Sequence, residues 1–326
     1  MKMFFKTGLL LMAIQTGVWL MPHHARAQVN VSFQVFYDDL SPYGTWIENP
    51  SYGYVWIPDA GPGFSPYATN GYWIYSDYGW TWVSYYAWGW APFHYGRWYT
   101  DPFYGPVWIP DTQWGPGWVT WRGSPGYYGW ASMGPGAYQT PAHEWTFVEV
   151  NYFGTTTMHN HYVNSSSNTT IINNTTIITN NRTNGKTIYN SGPEKGEVEK
   201  RSGKPVSQVV VKDNKSHGQK VSKGQMQIYK PGVEKTAAGG KKPAPAKVAD
   251  AKEVKTPEQR KTEPAKQPAA KPADKKAERK AEQKKVGGEQ PKPQASPSPA
   301  PKADPAPKPT PASKPKPNSS KKGKPN

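Results

Sequence analysis

The sequence predicts an all-β fold, on three observations. Between Thr45 and Val150 it runs as short β-prone stretches separated by Gly and Pro turn signals, spaced about eight to twelve residues apart, the cadence of a small sandwich or barrel-like meander. A seventeen-residue template occurs twice, fifty-two positions apart: YGTWIENPSYGYVWIPD from Tyr43 to Asp59 and YGRWYTDPFYGPVWIPD from Tyr95 to Asp111. The copies share Tyr-Gly, Trp, Pro, Tyr-Gly and Val-Trp-Ile-Pro-Asp, and a repeat of that size marks a duplicated supersecondary unit. No helical period is legible in this stretch. The expected fold class is therefore a duplicated, aromatic-rich antiparallel meander, followed by a long disordered basic tail.

Residues Val29 to Tyr37 alternate with period two, which predicts a strand. Further strands are expected at Thr45–Glu48, Tyr54–Pro58, Tyr72–Ser76, Trp80–Ser84, Gly96–Tyr99, Val107–Pro110, Trp118–Arg122, Tyr128–Ser132 and Thr146–Val150. Pro58-Asp59 and Pro110-Asp111 end equivalent strands, because proline lacks the ladder N–H and aspartate caps a turn. Gly44, Gly53, Gly96 and Gly105 each follow a tyrosine, either to supply positive φ or to let a ring lie on the backbone. Within the strands Val55 and Ile57 share one face and Tyr54 and Trp56 the other, and the second copy sets Val107 and Ile109 against Trp108. Such a sheet either buries both faces or displays one.

The expected domain organisation follows composition. Residues 1–27 read as a secretory signal peptide, with Lys2 and Lys6 before an apolar run from Gly8 to Met21 and an Ala25-Arg26-Ala27 cleavage site. The alternative, a membrane anchor, needs about 20 apolar residues. Residues 28–154 form the aromatic β domain, and 155–190 an Asn/Thr-rich linker or edge strands carrying N-x-[ST] sequons at Asn164, Asn168, Asn174 and Asn181. In 191–231, Val206, Val209 to Val211 and Met226 to Tyr229 suggest a small β element that docks back on the body, and 232–326 is a Lys/Pro/Ala-rich tail of disordered composition. Charge divides with the aromatics. Residues 28–190 hold four basic and nine acidic side chains, residues 191–326 hold 33 and 14, and 14 of the 15 Trp lie between Trp46 and Trp145. The absence of cysteine excludes disulfides, thiolate metal sites and a lipoprotein acyl anchor.

The repeated Y-G-x-W-x3-P-x-Y-G-x-V-W-I-P pattern, Trp88-Gly89-Trp90-Ala91, Gly117-Trp118-Val119-x-Trp121-Arg122, Gly129-Trp130-Ala131 and the later NTTIINNTTI together resemble the bacterial domain-of-unknown-function family 6600. The resemblance covers roughly Phe36 to Thr179. It implies an exported envelope protein with a Trp/Tyr-rich β region and supplies no catalytic residue. The Trp-Gly-Trp stretches also resemble Y-x-W-G-x-W repeat proteins of bacterial envelopes.

The aromatic rings are either core or a displayed strip. Tyr85, Tyr86, Trp88 and Trp90 are the first candidates for exposure, and with Trp98 and Arg97 they compose a candidate ligand-binding patch for a glycan or peptidoglycan strand. Arg97 beside Trp98 and Arg122 beside Trp121 are alternatively cation–π staples. Asp59 and Asp111 read as turn caps rather than the acid and base of a glycosidase, since symmetric copies do not create two different environments. His159-x-His161 has metal-like spacing but lacks partner ligands, while His94 and His143 suit hydrogen-bond networks. No phosphate loop, G-x-S-x-G or H-E-x-x-H occurs. The expectation is a non-catalytic exported protein, periplasmic, outer-envelope-associated or extracellular, with no cofactor and no metal. Its partners are anionic envelope polymers or glycans, with peripheral membrane contact and without chromosomal nucleic acid. The alternatives are a carbohydrate- or peptidoglycan-binding module and, more remotely, a glycan hydrolase.

Overall fold

A computed structural model describes residues 30–237 and 239–260. The leader at 1–27 and the basic residues from 261 onward lie outside the described residues.

The first element departs from expectation. Strand β1 covers only Asn30–Ser32, and helix α1 follows at Gln34–Leu40. The alternation from Val29 to Tyr37 misleads because Phe36, Tyr37 and Leu40 bury one side of a single helical span, and so short a run fits either period.

Eight strands then form four hairpins: β2 (Gly44–Asn49) with β3 (Gly53–Pro58), β4 (Gly71–Ser76) with β5 (Gly79–Ser84), β6 (Arg97–Asp101) with β7 (Gly105–Ile109), and β8 (Val119–Gly123) with β9 (Tyr127–Ser132). Each carries one Trp opposite another. Trp46 faces Trp56, Trp73 faces Trp82, Trp98 faces Trp108 and Trp121 faces Trp130. The fifty-two-residue repeat is thus a duplicated pair of hairpins. The two template hairpins join edge to edge as a sheet of order β2-β3-β7-β6, and their junction pairs Trp56 with Trp108, the same template position in both copies. The tips match as well. Asn49 Oδ1 accepts from the Ser51 and Tyr52 N–H groups at 2.9 and 3.2 Å, and Asp101 Oδ1 from those of Phe103 and Tyr104 at 2.8 and 3.1 Å. The other two hairpins meet through their rings, with Trp73 4.7 Å from Trp121 and 5.9 Å from Trp130. A simple meander is therefore broken: β3 pairs β7 past the intervening hairpin.

Glycine makes the ring rows feasible. A Cβ on Gly44 would lie 2.6 Å from the Trp56 ring, and one on Gly96 2.7 Å from Trp108 Nε1.

The chain beyond the expected body is woven into it. Strand β10 (Thr146–Glu149) pairs β9; after helix α2 (Asn168–Asn173), β11 (Thr176–Ile178) pairs β8. The β12 (Asn181–Asn184) and β13 (Thr187–Asn190) hairpin leads to helix α3 (Lys195–Ser202). The small β element expected in 191–231 is present. Strands β14 (Gln208–Asn214), β15 (Gln219–Ser222) and β16 (Gln225–Tyr229) extend the second hairpin into a sheet of order β15-β16-β14-β4-β5, with β14 parallel to β4. Strand β17 (Gly232–Glu234) runs parallel to β1, and the short helix α4 covers Pro257–Arg260. The aromatic body therefore does not end at 154, and residues 232–237 and 239–260 belong to the fold rather than to a disordered tail. Among the described residues no barrel closes, and no helix is long and apolar enough to cross a membrane.

One cluster holds most of the buried rings. A second, smaller one holds Ile47, Val55, Ile57 and Val107. The template sheet buries both faces, aromatic on one side and aliphatic on the other.

Candidate functional site

The ring patch read from the sequence is interior. Trp88, Trp90 and Trp98 are each 1% exposed and Tyr86 8%. Trp88 stacks on Tyr86 at 4.4 Å and on Phe93 at 5.5 Å, with its face edged by Trp56 at 5.0 Å. Trp98 lies 5.5 Å from Phe64 and donates its indole N–H to the Pro92 carbonyl at 2.8 Å. Trp90 is covered by Tyr229 at 4.9 Å and His217 at 5.5 Å, both from the stretch after the expected body. Of the six residues only Tyr85 and Arg97 are half-buried. Tyr85 packs beside Tyr72 at 5.6 Å, and the six make no displayed platform.

Both arginine staples exist on different rings from those expected. The Arg97 guanidinium lies 3.7 Å over Trp118, not Trp98, and donates to the Gly96 carbonyl at 2.8 Å. Burial lowers its pKa from the ordinary arginine value, and the charge of Asp111 acts against that. Arg122 lies 5.5 Å over Trp145, not Trp121, and donates to the Ile172 and Thr175 carbonyls at 2.9 and 2.8 Å. It thereby satisfies carbonyls at the C-terminal end of α2, where a cation is favoured.

Asp59 and Asp111 lie just past the ends of β3 and β7. The Asp59 N–H donates to the Tyr43 carbonyl at 2.8 Å, and Asp111 Oδ1 accepts from the Thr112 N–H at 2.7 Å. His161 stacks flat on Tyr152 at 3.6 Å, and among the described residues no group of three His, Cys, Asp or Glu gathers as a metal site. His143 is exposed, 3.8 Å from Glu144. His94 is fully buried. Its Nδ1 lies 2.9 Å from the Gly115 carbonyl, its Nε2 3.3 Å from Gln219 Oε1, and its ring is stacked on Trp114. Burial pulls its pKa down to about 4, so the ring is neutral at pH 7. Tyr67 is a second buried hub. Its φ of 58° is a strained conformation for a tyrosine, held by its hydroxyl donating to the Phe93 carbonyl at 3.2 Å and its own carbonyl accepting from Trp130 at 2.8 Å.

The feature that sequence reading missed is a groove. A cavity of about 490 Å³ lies between β2 and residues 247–260, with Thr45, Trp46 and Asp59 on one wall and Asp250, Glu253 and Arg260 on the other. The signal available in advance was slight: Val248 and Val254 are isolated apolar residues in a stretch that otherwise reads as solvated tail.

The class these features define is an all-β domain of paired Trp hairpins. Residues 37–137 match the model of a family of unknown function, DUF6600. The match spans the four hairpins and stops short of β10 and everything after it. No curated protein and no solved structure matches the chain.

Proposed function

We propose that the protein is a non-catalytic, exported, envelope-associated structural or interaction protein, whose aromatic β body presents a cationic extension to anionic envelope polymers. The observation that carries this reading is the partition of charge. Residues 30–260 hold 20 basic and 17 acidic side chains, whereas residues 261–326 hold 17 and 6. The body is thus close to neutral, and the net charge that would attract a polyanion is concentrated beyond it. The body's rings are committed elsewhere: Trp88, Trp90 and Trp98 are core. A stacking platform built on those tryptophans has no exposed face to offer a sugar.

The test compares the full chain with a chain ending at Arg260 on lipopolysaccharide-containing vesicles across a salt series, with near-ultraviolet circular dichroism to check that the Trp core survives truncation. The full chain should bind with an affinity that falls steeply as salt rises, as counterion release requires. The shortened chain should lose most of that binding. Equal, salt-insensitive binding by both would sink the proposal.

A further inference from the structure

The β2 edge and the aliphatic face behind it are covered by one late stretch of chain, residues 244–260. Gln34 clamps its start, donating to the Ala244 carbonyl at 3.2 Å and accepting from the Ala244 N–H at 3.3 Å. Ala249 bridges Ile47 in parallel register, its N–H donating to the Trp46 carbonyl at 2.9 Å. The Tyr104 hydroxyl donates to the Ala251 carbonyl at 2.9 Å, and Val254 packs on the aliphatic cluster. Arg260 closes the far end on the Pro58 and Tyr104 carbonyls.

Two properties distinguish this strap from the strands around it. Its fit is loose, since the groove cavity remains between strap and β2. It also follows an exposed turn, closed by the Gly240 N–H on the Ala237 carbonyl at 3.0 Å and the Ala237 N–H on the Lys241 carbonyl at 3.1 Å, which we take as its hinge. Residues 235–237 and 239–243 are mostly exposed and turn at Gly239 and Gly240, with φ of 86° and 77° and no atom within 4 Å of a Cβ at either. Nine extended residues, 235–243, reach about 30 Å.

We propose that the β2 edge and its aliphatic face are a strand-accepting groove that takes residues 244–260 from a second copy of this chain as well as from its own, so that two copies hold one another by exchanging straps. The occupant follows from complementarity: the segment seated in the groove is the one shown to fit, and a second copy carries it. Exchange rebuilds the same strap–groove packing and hydrogen bonds between chains that each chain otherwise makes within itself. Concentration and hinge geometry therefore decide the balance. Addition of an extended segment at a sheet edge is an established mode of peptide recognition.

The chain has no cysteine, which makes disulfide trapping clean. The double variant Ile47→Cys/Ala249→Cys should close within one chain on oxidation. Two full-length single variants, Ile47→Cys and an affinity-tagged Ala249→Cys, are mixed, incubated and oxidised over a concentration series. A mixed disulfide between tagged and untagged chains should appear and grow with concentration. It should exceed by about tenfold the yield when an exposed Lys186→Cys chain replaces the Ala249→Cys partner. Equal yields would refute exchange, as would internal closure of the double variant without any mixed product. Failure of the double variant to close would remove the groove contact itself. Because Ile47 is buried, a second measurement avoids cysteine: deletion of residues 237–241 from the full chain shortens the hinge and should shift sedimentation from monomer to dimer. An unshifted monomer overturns the proposal.

Discussion

The two faces of the β2-β3-β7-β6 sheet are built by different logic. The aromatic face carries Trp46, Trp56, Trp98 and Trp108 in one cross-strand row and is sealed largely by residues near it in the chain, with Phe36 of α1 and Trp88 among the rings in contact. The aliphatic face carries Ile47, Val55, Ile57 and Val107 and is covered by Ala249 and Val254, about two hundred residues downstream of Ile47. Locally sealed surface folds with its own hairpins. Surface sealed from afar depends on a strap held by the aliphatic cluster, by backbone edge groups and by the Gln34 and Tyr104 side chains rather than by the row of cross-strand tryptophan rings.

The largest break in this comparison is expected from Trp108→Ala. It removes a fully buried ring whose indole N–H donates to the Tyr95 carbonyl at 2.7 Å, and it should cost about 3–5 kcal/mol by chemical denaturation. A loss below about 1 kcal/mol would show that the Trp row is not the stabilising element.

Acid comes next. His94 titrates near 4 in the folded protein against an ordinary value of 6.5, so the unfolded chain takes up the proton first as pH falls. The neutral-ring contribution is fully present above 6.5, declines between 6.5 and about 4, and levels off below. The loss is of order 3 kcal/mol at most. Stability measured from pH 7 to 4 should lose that share of its slope in His94→Phe, whatever the variant's baseline at pH 7; an identical slope would disprove the assignment.

On the aliphatic face Ile57→Val should cost only about 1 kcal/mol, without altering near-ultraviolet circular dichroism from the rings. The smallest global effect belongs to Arg260→Ala, at or below about 1 kcal/mol, since it removes hydrogen bonds at the partly exposed end of the strap. Hydrogen exchange should nonetheless accelerate at the Ala249 amide and leave the Trp108 amide protected. Acceleration at both would mean that strap and Trp row open as one unit.

Much of the strand pattern was legible in advance. Nine strands between β2 and β10 fall within about two residues of the spans predicted from Gly/Pro punctuation, because hairpin turns impose local chemistry: Asn49 and Asp101 before proline are required where their carbonyl or carboxylate caps the tip. Exposure of the rings was not legible. The expectation of a displayed Trp88–Trp90 strip rested on a body ending at 154, too small to hide so many indoles. The Trp80 indole donating to Pro193 at 2.9 Å and Tyr229 over Trp90 enlarge the interior with residues whose composition reads as linker. Period alone likewise fails at α1, where tertiary burial of Phe36 and Leu40 selects helix over strand.

By itself the sequence determined the hairpins, their duplication, the alternation of aromatic and aliphatic faces, and the separation of a mildly acidic aromatic region from a basic C-terminal one. These follow from turn chemistry, side-chain period and charge, all of which act over a few residues. Only the tertiary structure decided which copy pairs with which, where the rings point, and which distant segment closes the β2 edge. Those outcomes depend on area shared between segments far apart in the chain, and no local pattern records that a lone Val254 or Ala249 will find an aliphatic face to cover.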